Sequence, residues 1–245
     1  MKGLSGKSVL VTGGGGAIGS AICRRFAQAG AKVLVADKNK AAAEGTAGQL
    51  KGRALVFDIA NYAQAQAALE NQSIDILINN AGWDRFQNFL DTKPEEWEPL
   101  LDINLRGPLN MHHLVAPGMV ARGWGRIVNI ASDAARVGSS GESVYSACKG
   151  GIVAFSKTLA RELARKGVTV NVVCPGPTDT PILRGFLGEG EAGTKVYDAL
   201  VRSIPMKRVG QPDDIPGIVT FLASEEAAFI TGQVISVSGG LTMAG

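Results

Sequence analysis

Residues 8–29 read SVLVTGGGGAIGSAICRRFAQA, and this stretch decides the fold. A short β-branched run passes into clustered glycines and then into a segment with helical periodicity, which is the order of strand, tight turn and helix. Glycines let backbone N–H groups approach a pyrophosphate, and the start of a helix adds partial positive charge. The stretch therefore predicts the first βαβ unit of a dinucleotide-binding domain.

The same alternation of strand and helix continues along the chain. Most of the predicted strands are apolar nearly throughout, as parallel strands covered on both faces are. Long amphipathic stretches between them have the length of crossover helices. The pattern predicts an α/β protein with a doubly wound parallel sheet in one domain, 1–245. The predicted strands are 8–12, 32–36, 54–57, 75–79, 126–131, 169–174 and 234–237, and the clearest helices are 17–29, 94–122 and 143–166.

Composition excludes several classes of protein. The apolar fraction of 45% indicates a globular chain, and the net charge of +3 arises from interspersed charges, which disfavours a nucleic-acid surface. Three scattered cysteines without metal-type spacing predict reduced thiols and no metal site. His112 and His113 are interpreted as interface or surface residues. No signal core or membrane-length apolar run is found, so we expect a cytoplasmic protein that does not interact with membranes.

Acidic residues follow two of the predicted strands. Asp37 closes the second strand, where a carboxylate can accept hydrogen bonds from the adenosine ribose and repel a 2′-phosphate. This position favours NAD over NADP, although Lys38 and Lys40 could soften the repulsion. Asp58 and Ile59 end the third strand and could contact adenine, or Asp58 could simply form a turn.

A Tyr and a Lys stand four residues apart at the start of the helix 143–166. This spacing places Tyr145 and Lys149 on one helical face, where an ammonium and an oxidised nicotinamide would lower the Tyr pKa. Ser132, at the end of a strand, could hold a substrate oxygen against Tyr145. Asn104 could kink its helix and fix a water for proton relay, or satisfy a local backbone group.

Motifs spread over the whole chain resemble the short-chain dehydrogenase/reductase family: TGGGGAIG at 12–19, NNAG at 79–82, INLRG at 103–107, YSACK at 145–149 and the final ITG…VSGG. The resemblance implies a Rossmann-type sheet of seven parallel strands with helices on both faces, assembled as a homotetramer. It implies that Ser132 orients substrate, Tyr145 is the acid/base, Lys149 binds the cofactor ribose and Asn104 relays protons. The expected cofactor-binding residues are Gly13, Gly15, Gly16, Ile18, Gly19, Asp37, Asp58, Ile59, Asn80, Gly82, Tyr145, Lys149, Pro175, Gly176, Thr178 and Thr180.

The family motifs do not choose a substrate. Trp83 and Phe86 after NNAG could wall an apolar ring or acyl site, or could be core residues. The segment 181–205 is a candidate substrate lid, with a surface insertion as the alternative. Four cations could meet CoA phosphates, although isolated surface cations are commoner: Arg136, Arg184, Lys207 and Arg208.

At finer grain, NNAGWD and NVVCPGPTDTP are among stretches similar to the 2-hydroxycyclohexanecarbonyl-CoA dehydrogenase group. That similarity implies NAD-dependent oxidation of a β-hydroxyacyl-CoA in alicyclic or aromatic acid degradation. One alternative is an NADPH-dependent 3-oxoacyl thioester reductase of fatty-acid or polyester synthesis. An alternative from another class is a non-catalytic NAD-sensing scaffold.

Overall fold

Seven parallel strands form one sheet in the order β3-β2-β1-β4-β5-β6-β7. The computed structural model describes residues 1–188 and 190–244, so residue 189 of the predicted lid and residue 245 lie outside it. The chain builds outward from β1 to β3 and then returns to add β4 to β7 on the other side. This order confirms the predicted doubly wound, Rossmann-type single-domain sheet. The strands are β1 Ser8–Thr12, β2 Lys32–Asp37, β3 Arg53–Val56, β4 Ile76–Asn79, β5 Gly125–Ile130, β6 Val168–Pro175 and β7 Val234–Val237.

Helices cover both faces of the sheet because successive strand side chains point to opposite sides. Val9 and Val11 of β1 face the core that contains Phe26, whereas Leu10 between them faces the core that contains Met111. Within the described ranges, no helix is both long and apolar enough to cross a membrane. The helices are α1 Ala17–Gln28, α2 Lys40–Leu50, α3 Tyr62–Leu69, α4 Trp97–Leu101, α5 Gly107–Arg122, α6 Ala134–Val137, α7 Ser143–Leu163, α8 Pro181–Leu187, α9 Gly190–Ser203 and α10 Pro216–Ala223.

The helix predicted over 94–122 is interrupted. A 3₁₀ turn, Pro94–Glu96, precedes α4, and a π-helical turn, Asp102–Arg106, joins α4 to α5. Two local causes coincide at this turn. Asn104 donates through its side chain to the Leu100 carbonyl at 3.1 Å, and Pro108 has no N–H for the carbonyl four residues before it. Such single π turns widen a helix locally, and this one contains Asn104, for which a kinked helix was one of the two interpretations of the sequence.

The segment 181–205, for which the sequence indicated no strong periodicity, contains the two helices α8 and α9. The ends of α8 are set by residues next to them in the sequence. Thr180 accepts a hydrogen bond from the Leu183 N–H at 3.3 Å, Pro181 occupies the first turn, and Gly188 ends α8 with φ +74°. Residues typical of helix ends therefore indicate where α8 begins and ends, which the hydrophobic periodicity of so short a helix does not.

His112 is buried, contrary to its interpretation as an interface or surface residue. Its Nδ1 lies 2.6 Å from the Pro108 carbonyl oxygen, and burial lowers the pKa of its ring to about 4. The ring is therefore neutral at physiological pH. Among the residues that the structure describes, no group of three or more His, Cys, Asp or Glu side chains could hold a metal ion.

Candidate active site

The glycine loop between β1 and α1 lies at the carboxyl edge of the sheet, where the strand order reverses. Gly13 has φ +62°, a left-handed conformation that glycine adopts at little cost. A Cβ on Gly19 would overlap the Gly13 carbonyl oxygen, so the loop also needs glycine at this position. Gly16 has no side chain with which to cap α1, which leaves first-turn N–H groups to a ligand. The predicted set Gly13, Gly15, Gly16, Ile18 and Gly19 thus forms a backbone cradle that fits a pyrophosphate.

Asp37 ends β2 beside this cradle. One of its carboxylate oxygens accepts from the Gly15 N–H at 3.0 Å, and the other accepts from the Asn39 N–H at 2.9 Å. These bonds leave lone pairs on both oxygens for further donors. The sequence indicated that Lys40 could weaken the repulsion between Asp37 and a 2′-phosphate. In the structure its Nζ lies 3.9 Å from the Glu44 Oε1 on α2. The site therefore fits the ribose of a dinucleotide at the position that the sequence predicted.

Asp58 and Ile59 follow β3, and their side chains have different surroundings. Asp58 accepts a hydrogen bond from the Ala60 N–H at 2.9 Å, which is the turn role considered as its alternative. The Ile59 side chain is buried, and a Cβ on Gly107 would overlap it. Contact between Ile59 and a cofactor would thus use its backbone, whose carbonyl already accepts from Asn110 at 2.9 Å.

Asn80 joins the end of β4 to the glycine loop. Its amide group donates to the Thr12 carbonyl at 3.0 Å and to the Gly13 carbonyl at 3.1 Å. The Thr12 hydroxyl in turn accepts from the backbone N–H groups of Asn80 and Ala81. The side chain of Asn80 therefore fixes the loop, and any contribution it makes to cofactor binding acts through that loop.

Asn104 and Lys149 meet around Gly82. A Cβ on Gly82 would lie 3.0 Å from the Asn104 Oδ1 and 3.2 Å from the Lys149 Nζ. Asn104 is fully buried, donates to the Trp83 carbonyl at 2.6 Å and accepts from the Trp83 N–H at 3.3 Å. The sequence left two roles open for Asn104, a proton relay and hydrogen bonding to the local backbone. The position is compatible with both, because Asn104 bonds to the Trp83 backbone and lies beside the Lys149 ammonium.

Lys149 is 3% exposed and donates to the Ile130 carbonyl at 3.2 Å. Burial lowers the pKa of its ammonium to about 8. Its Nζ lies 5.5 Å from the centre of the Tyr145 ring. The arrangement places an amine that can lose its proton near neutral pH next to the phenol.

The pKa of Tyr145 is raised above its ordinary range. Burial is the largest cause, the charges of Asp84 and Glu142 raise the pKa further, and a hydrogen bond with Ser132 lowers it. The pKa of Tyr145 is therefore higher than the sequence predicted, because burial and the two carboxylates raise it more than Ser132 lowers it. A neutral phenol bonded to a hydroxyl is a proton donor for a carbonyl oxygen.

The segment after β6 packs against the end of the chain. A Cβ on Gly176 would lie 2.6 Å from the Ser238 Cβ, so this close approach requires glycine. Thr178 is buried and donates to the Gly176 carbonyl at 2.9 Å. Thr180 caps α8, as described above. The predicted set Pro175, Gly176, Thr178 and Thr180 thus lies at the end of β6 and in the loop that follows it, at the carboxyl edge of the sheet.

Comparison with known proteins finds relatives over nearly the whole chain. The family model described as enoyl-(acyl carrier protein) reductase, a group of short-chain dehydrogenases/reductases, matches residues 15–242. The acetoacetyl-CoA reductase of Shinella zoogloeoides is 39% identical over 237 residues, covering 94% of this chain and 96% of the relative.

Two solved structures superpose closely. One is a 3-oxoacyl-[acyl-carrier protein] reductase from Brucella melitensis with bound NAD, with a TM-score of 0.90, 33% identity and coverage of 98% and 92% of the two chains. The other is a gluconate 5-dehydrogenase from Burkholderia cenocepacia in complex with NADP and tartrate, with a TM-score of 0.92, 34% identity and coverage of 98% and 97%.

The chain belongs to the short-chain dehydrogenases/reductases. It is an NAD(P)-dependent oxidoreductase that interconverts a secondary alcohol and a ketone. Its relatives named above include acyl-thioester reductases and a sugar-acid dehydrogenase, so membership of the family defines the reaction class and leaves the substrate to local features.

One relationship in this short-chain dehydrogenase/reductase was missed from the sequence. Asp84 lies between β4 and α4 and Glu142 just before α7, yet their carboxyl groups share a hydrogen bond near Tyr145 and Lys149. Burial and Glu142 raise the pKa of Asp84 to about 7. No local pattern in the sequence pairs residues so far apart.

Proposed function

We propose that this chain oxidises a β-hydroxyacyl-CoA, such as 2-hydroxycyclohexanecarbonyl-CoA, to the β-ketoacyl-CoA with NAD. The observation that carries the proposal is the carboxylate of Asp37 at the end of β2, bonded to the Gly15 N–H at 3.0 Å. A carboxylate held there accepts the ribose hydroxyls of NAD and repels the 2′-phosphate of NADP. Because NAD generally serves oxidation, the alcohol is assigned as the substrate.

The cofactor is placed by the residues of the carboxyl edge. A bound nicotinamide dinucleotide would supply the acceptor for the hydride that leaves the carbinol carbon. We assign the glycine loop to the pyrophosphate and Asp37 to the adenosine ribose. We assign Lys149 and Tyr145 to the nicotinamide ribose. The remaining assignments to the dinucleotide are Asp58, Ile59, Asn80, Gly82, Pro175, Gly176, Thr178 and Thr180.

Proton transfer at the substrate oxygen is assigned to Tyr145. Its phenolate accepts the hydroxyl proton during oxidation, and Ser132 holds the substrate oxygen while lowering the pKa of the phenol. Lys149, whose pKa is lowered to about 8 by burial, is assigned to accept the proton from Tyr145. Asn104, across Gly82 from Lys149, is assigned to hold a water that leads the proton outward.

The acyl side of the substrate is assigned to aromatic residues. Trp83 and Phe86 are both exposed, so neither is the core residue that the sequence left as an alternative. The four cations considered for CoA phosphates are engaged within the chain. Arg136 binds Ser236, Arg184 binds Asp179, Lys207 donates to the Arg202 carbonyl, and Arg208 binds Asp214. Specificity is therefore assigned to the acyl group and not to a phosphate clamp.

The test is nicotinamide absorbance on mixing the enzyme with 2-hydroxycyclohexanecarbonyl-CoA, with NAD and NADP in parallel and 3-hydroxybutyryl-CoA as comparator. We expect faster NADH formation from the cyclic thioester and a preference for NAD. Equal or faster turnover of the linear thioester, or a preference for NADP, would contradict the proposal while leaving the reaction class intact.

A second candidate is an NADPH-dependent 3-oxoacyl thioester reductase. Its support is the similarity to an acetoacetyl-CoA reductase and a 3-oxoacyl-[acyl-carrier protein] reductase. Consumption of NADPH with acetoacetyl-CoA, faster than any NAD-linked oxidation, would favour it. The homotetramer and the cytoplasmic location stay predictions from the sequence and its family resemblance, and sedimentation velocity tests the first.

A further inference from the structure

Two phenylalanines that are one hundred residues apart contact each other beside the active site. Phe86 lies in the segment between β4 and α4, and Phe186 lies on α8. Their ring centroids are 4.3 Å apart at an interplanar angle of 69°, an edge-to-face contact. The exposed fractions are 50% for Phe86 and 40% for Phe186, so much of the apolar surface of the pair faces solvent.

Phe86 packs against the segment that leads into α7. Gly141 has φ +81°, and a Cβ on it would overlap the Phe86 ring. The Gln87 N–H also donates to the Gly141 carbonyl at 2.8 Å. Since Tyr145 follows Gly141 by four residues, this contact fixes Phe86 relative to the phenol.

Neighbouring residues place the segment beside Tyr145. Arg85 and Gln87, on either side of Phe86, line a cleft that Tyr145 also lines, and Arg85 pairs with Glu96 at 2.8 Å. Asp84 lies close enough to Tyr145 and Lys149 to shift the pKa of both groups. Phe86 therefore stands two residues from a side chain that faces the reacting groups.

Phe186 belongs to a weakly anchored element. None of the seven residues of α8 is buried, and the helix is bounded by the Thr180 cap and by Gly188. An element with so little buried apolar surface opens at low cost. The contact with Phe86 therefore joins α8 to the segment between β4 and α4, which also carries Asp84.

We propose that Phe86 and Phe186 form the outer wall of the acyl pocket and select a cyclic acyl group over a short linear one. The inference rests on the proposed function and names its specificity determinants. A six-membered alicyclic ring covers more of the two half-exposed aromatic faces than a four-carbon chain does, and hydrophobic stabilisation grows with the area removed from water. At 4.3 Å the rings leave no room for a third ring between them, so the acyl ring packs against the pair from the Tyr145 side.

The test compares kcat/KM for 2-hydroxycyclohexanecarbonyl-CoA and 3-hydroxybutyryl-CoA in Phe86→Ala, Phe186→Ala and the double variant. We expect each single change to lower the value for the cyclic substrate about tenfold, mainly through KM, and that for the linear substrate less than about threefold. The double variant should lose less than the product of the two single losses, because the rings act as one wall. Phe229→Ala, at a fully exposed phenylalanine just before β7, is the matched control and should change neither value.

A second measurement does not depend on turnover. Inhibition constants of cyclohexanecarbonyl-CoA and butyryl-CoA, which have no hydroxyl to oxidise, report the acyl wall alone. The ratio of the two constants should move toward unity in Phe186→Ala. Phe86→Leu and Phe186→Leu keep side-chain volume if an alanine variant unfolds, and they should show the same selective loss at smaller size.

The outcomes separate this inference from the proposed function. If the wild-type enzyme oxidises the cyclic thioester but Phe86→Ala and Phe186→Ala weaken both substrates equally, the specificity inference is wrong and the function stands. If the wild-type enzyme forms no NADH from the cyclic thioester, the proposed function fails and this inference fails with it.

Discussion

The carboxylate of Asp37 accepts a hydrogen bond from the Gly15 N–H at 3.0 Å, which ties the end of β2 to the glycine loop. A Cβ on Gly15 would lie 2.5 Å from the Ala42 Cβ and 3.0 Å from the Asp37 Oδ2, so the approach needs glycine. Asp37, which is proposed to select NAD over NADP, thus also helps to hold the conformation of the glycine loop. Replacing Asp37 has two separable consequences, one on cofactor preference and one on affinity.

Asp37→Ser should lower kcat/KM with NAD about tenfold or more and raise the ratio of NADP to NAD utilisation. The carboxylate that accepts the ribose hydroxyls and repels the 2′-phosphate is lost, and the bond to the Gly15 N–H is weakened. Steady-state kinetics with both cofactors measures the ratio. Asp58→Asn is the control, because adenine is common to both cofactors. An unchanged ratio in Asp37→Ser would remove Asp37 from its assigned role.

Two Gly→Ala changes within helices should have opposite effects on stability. Gly19→Ala puts a Cβ into the Gly13 carbonyl oxygen, so it should lower the free energy of unfolding and weaken NAD binding more than tenfold. Gly48 on α2 has open space around a Cβ, so Gly48→Ala should raise stability by about 0.5–1 kcal/mol. Denaturant unfolding and NAD titration measure both. Normal NAD affinity in Gly19→Ala would show that the loop does not bind the cofactor.

Tyr145→Phe should lower kcat by about 10²–10⁴-fold, because it removes the group assigned to transfer the proton of the substrate oxygen. NAD affinity should change little, since the ring and Lys149 remain. The measurements are single-turnover NADH formation and NAD titration. Tyr62→Phe, which removes a hydroxyl 2.8 Å from His113, is the control and should keep full activity. Loss of NAD binding together with turnover would assign Tyr145 a structural role instead.

Asp84→Asn should shift the limb of the pH profile on which oxidation rises with pH to lower pH by roughly 0.5–1 unit. Ionised Asp84 raises the pKa of Tyr145, and oxidation needs the phenolate, so removing the charge makes the phenolate form at lower pH. Because the pKa of Asp84 is raised to about 7, the difference from the wild type should appear above about pH 7 and disappear below it.

The control for this pH prediction is Glu98→Gln, at an exposed carboxylate near Arg106. It should leave the profile of kcat/KM against pH unchanged. Glu142→Gln should shift the profile in the same direction as Asp84→Asn, since both charges raise the pKa of Tyr145. A shift of Asp84→Asn toward higher pH would contradict the assigned electrostatics.

Most of the sheet was predictable because its information is local. Most strands are rich in β-branched and apolar residues, and the bounds observed in the structure differ from the predicted ones by at most one residue at either end. The glycine loop and the Tyr145–Lys149 pair were likewise evident, since a turn that needs φ above zero and two residues four apart on a helix are properties of adjacent chain. Hydrophobic periodicity did not predict short helices such as α8, although residues typical of helix ends flank α8 in the sequence.

The sequence by itself determined the order of the strands, the glycine loop after β1 and the resemblance to the family, because propensity, turn chemistry and motif spacing act over a few residues. Only the tertiary structure decided the burial of His112 and the pairings of Asp84 with Glu142 and Phe86 with Phe186. These contacts join segments separated by dozens of residues, and they depend on where the crossover connections return to the sheet. No pattern in adjacent residues encodes that distance, since it is a property of how the elements pack.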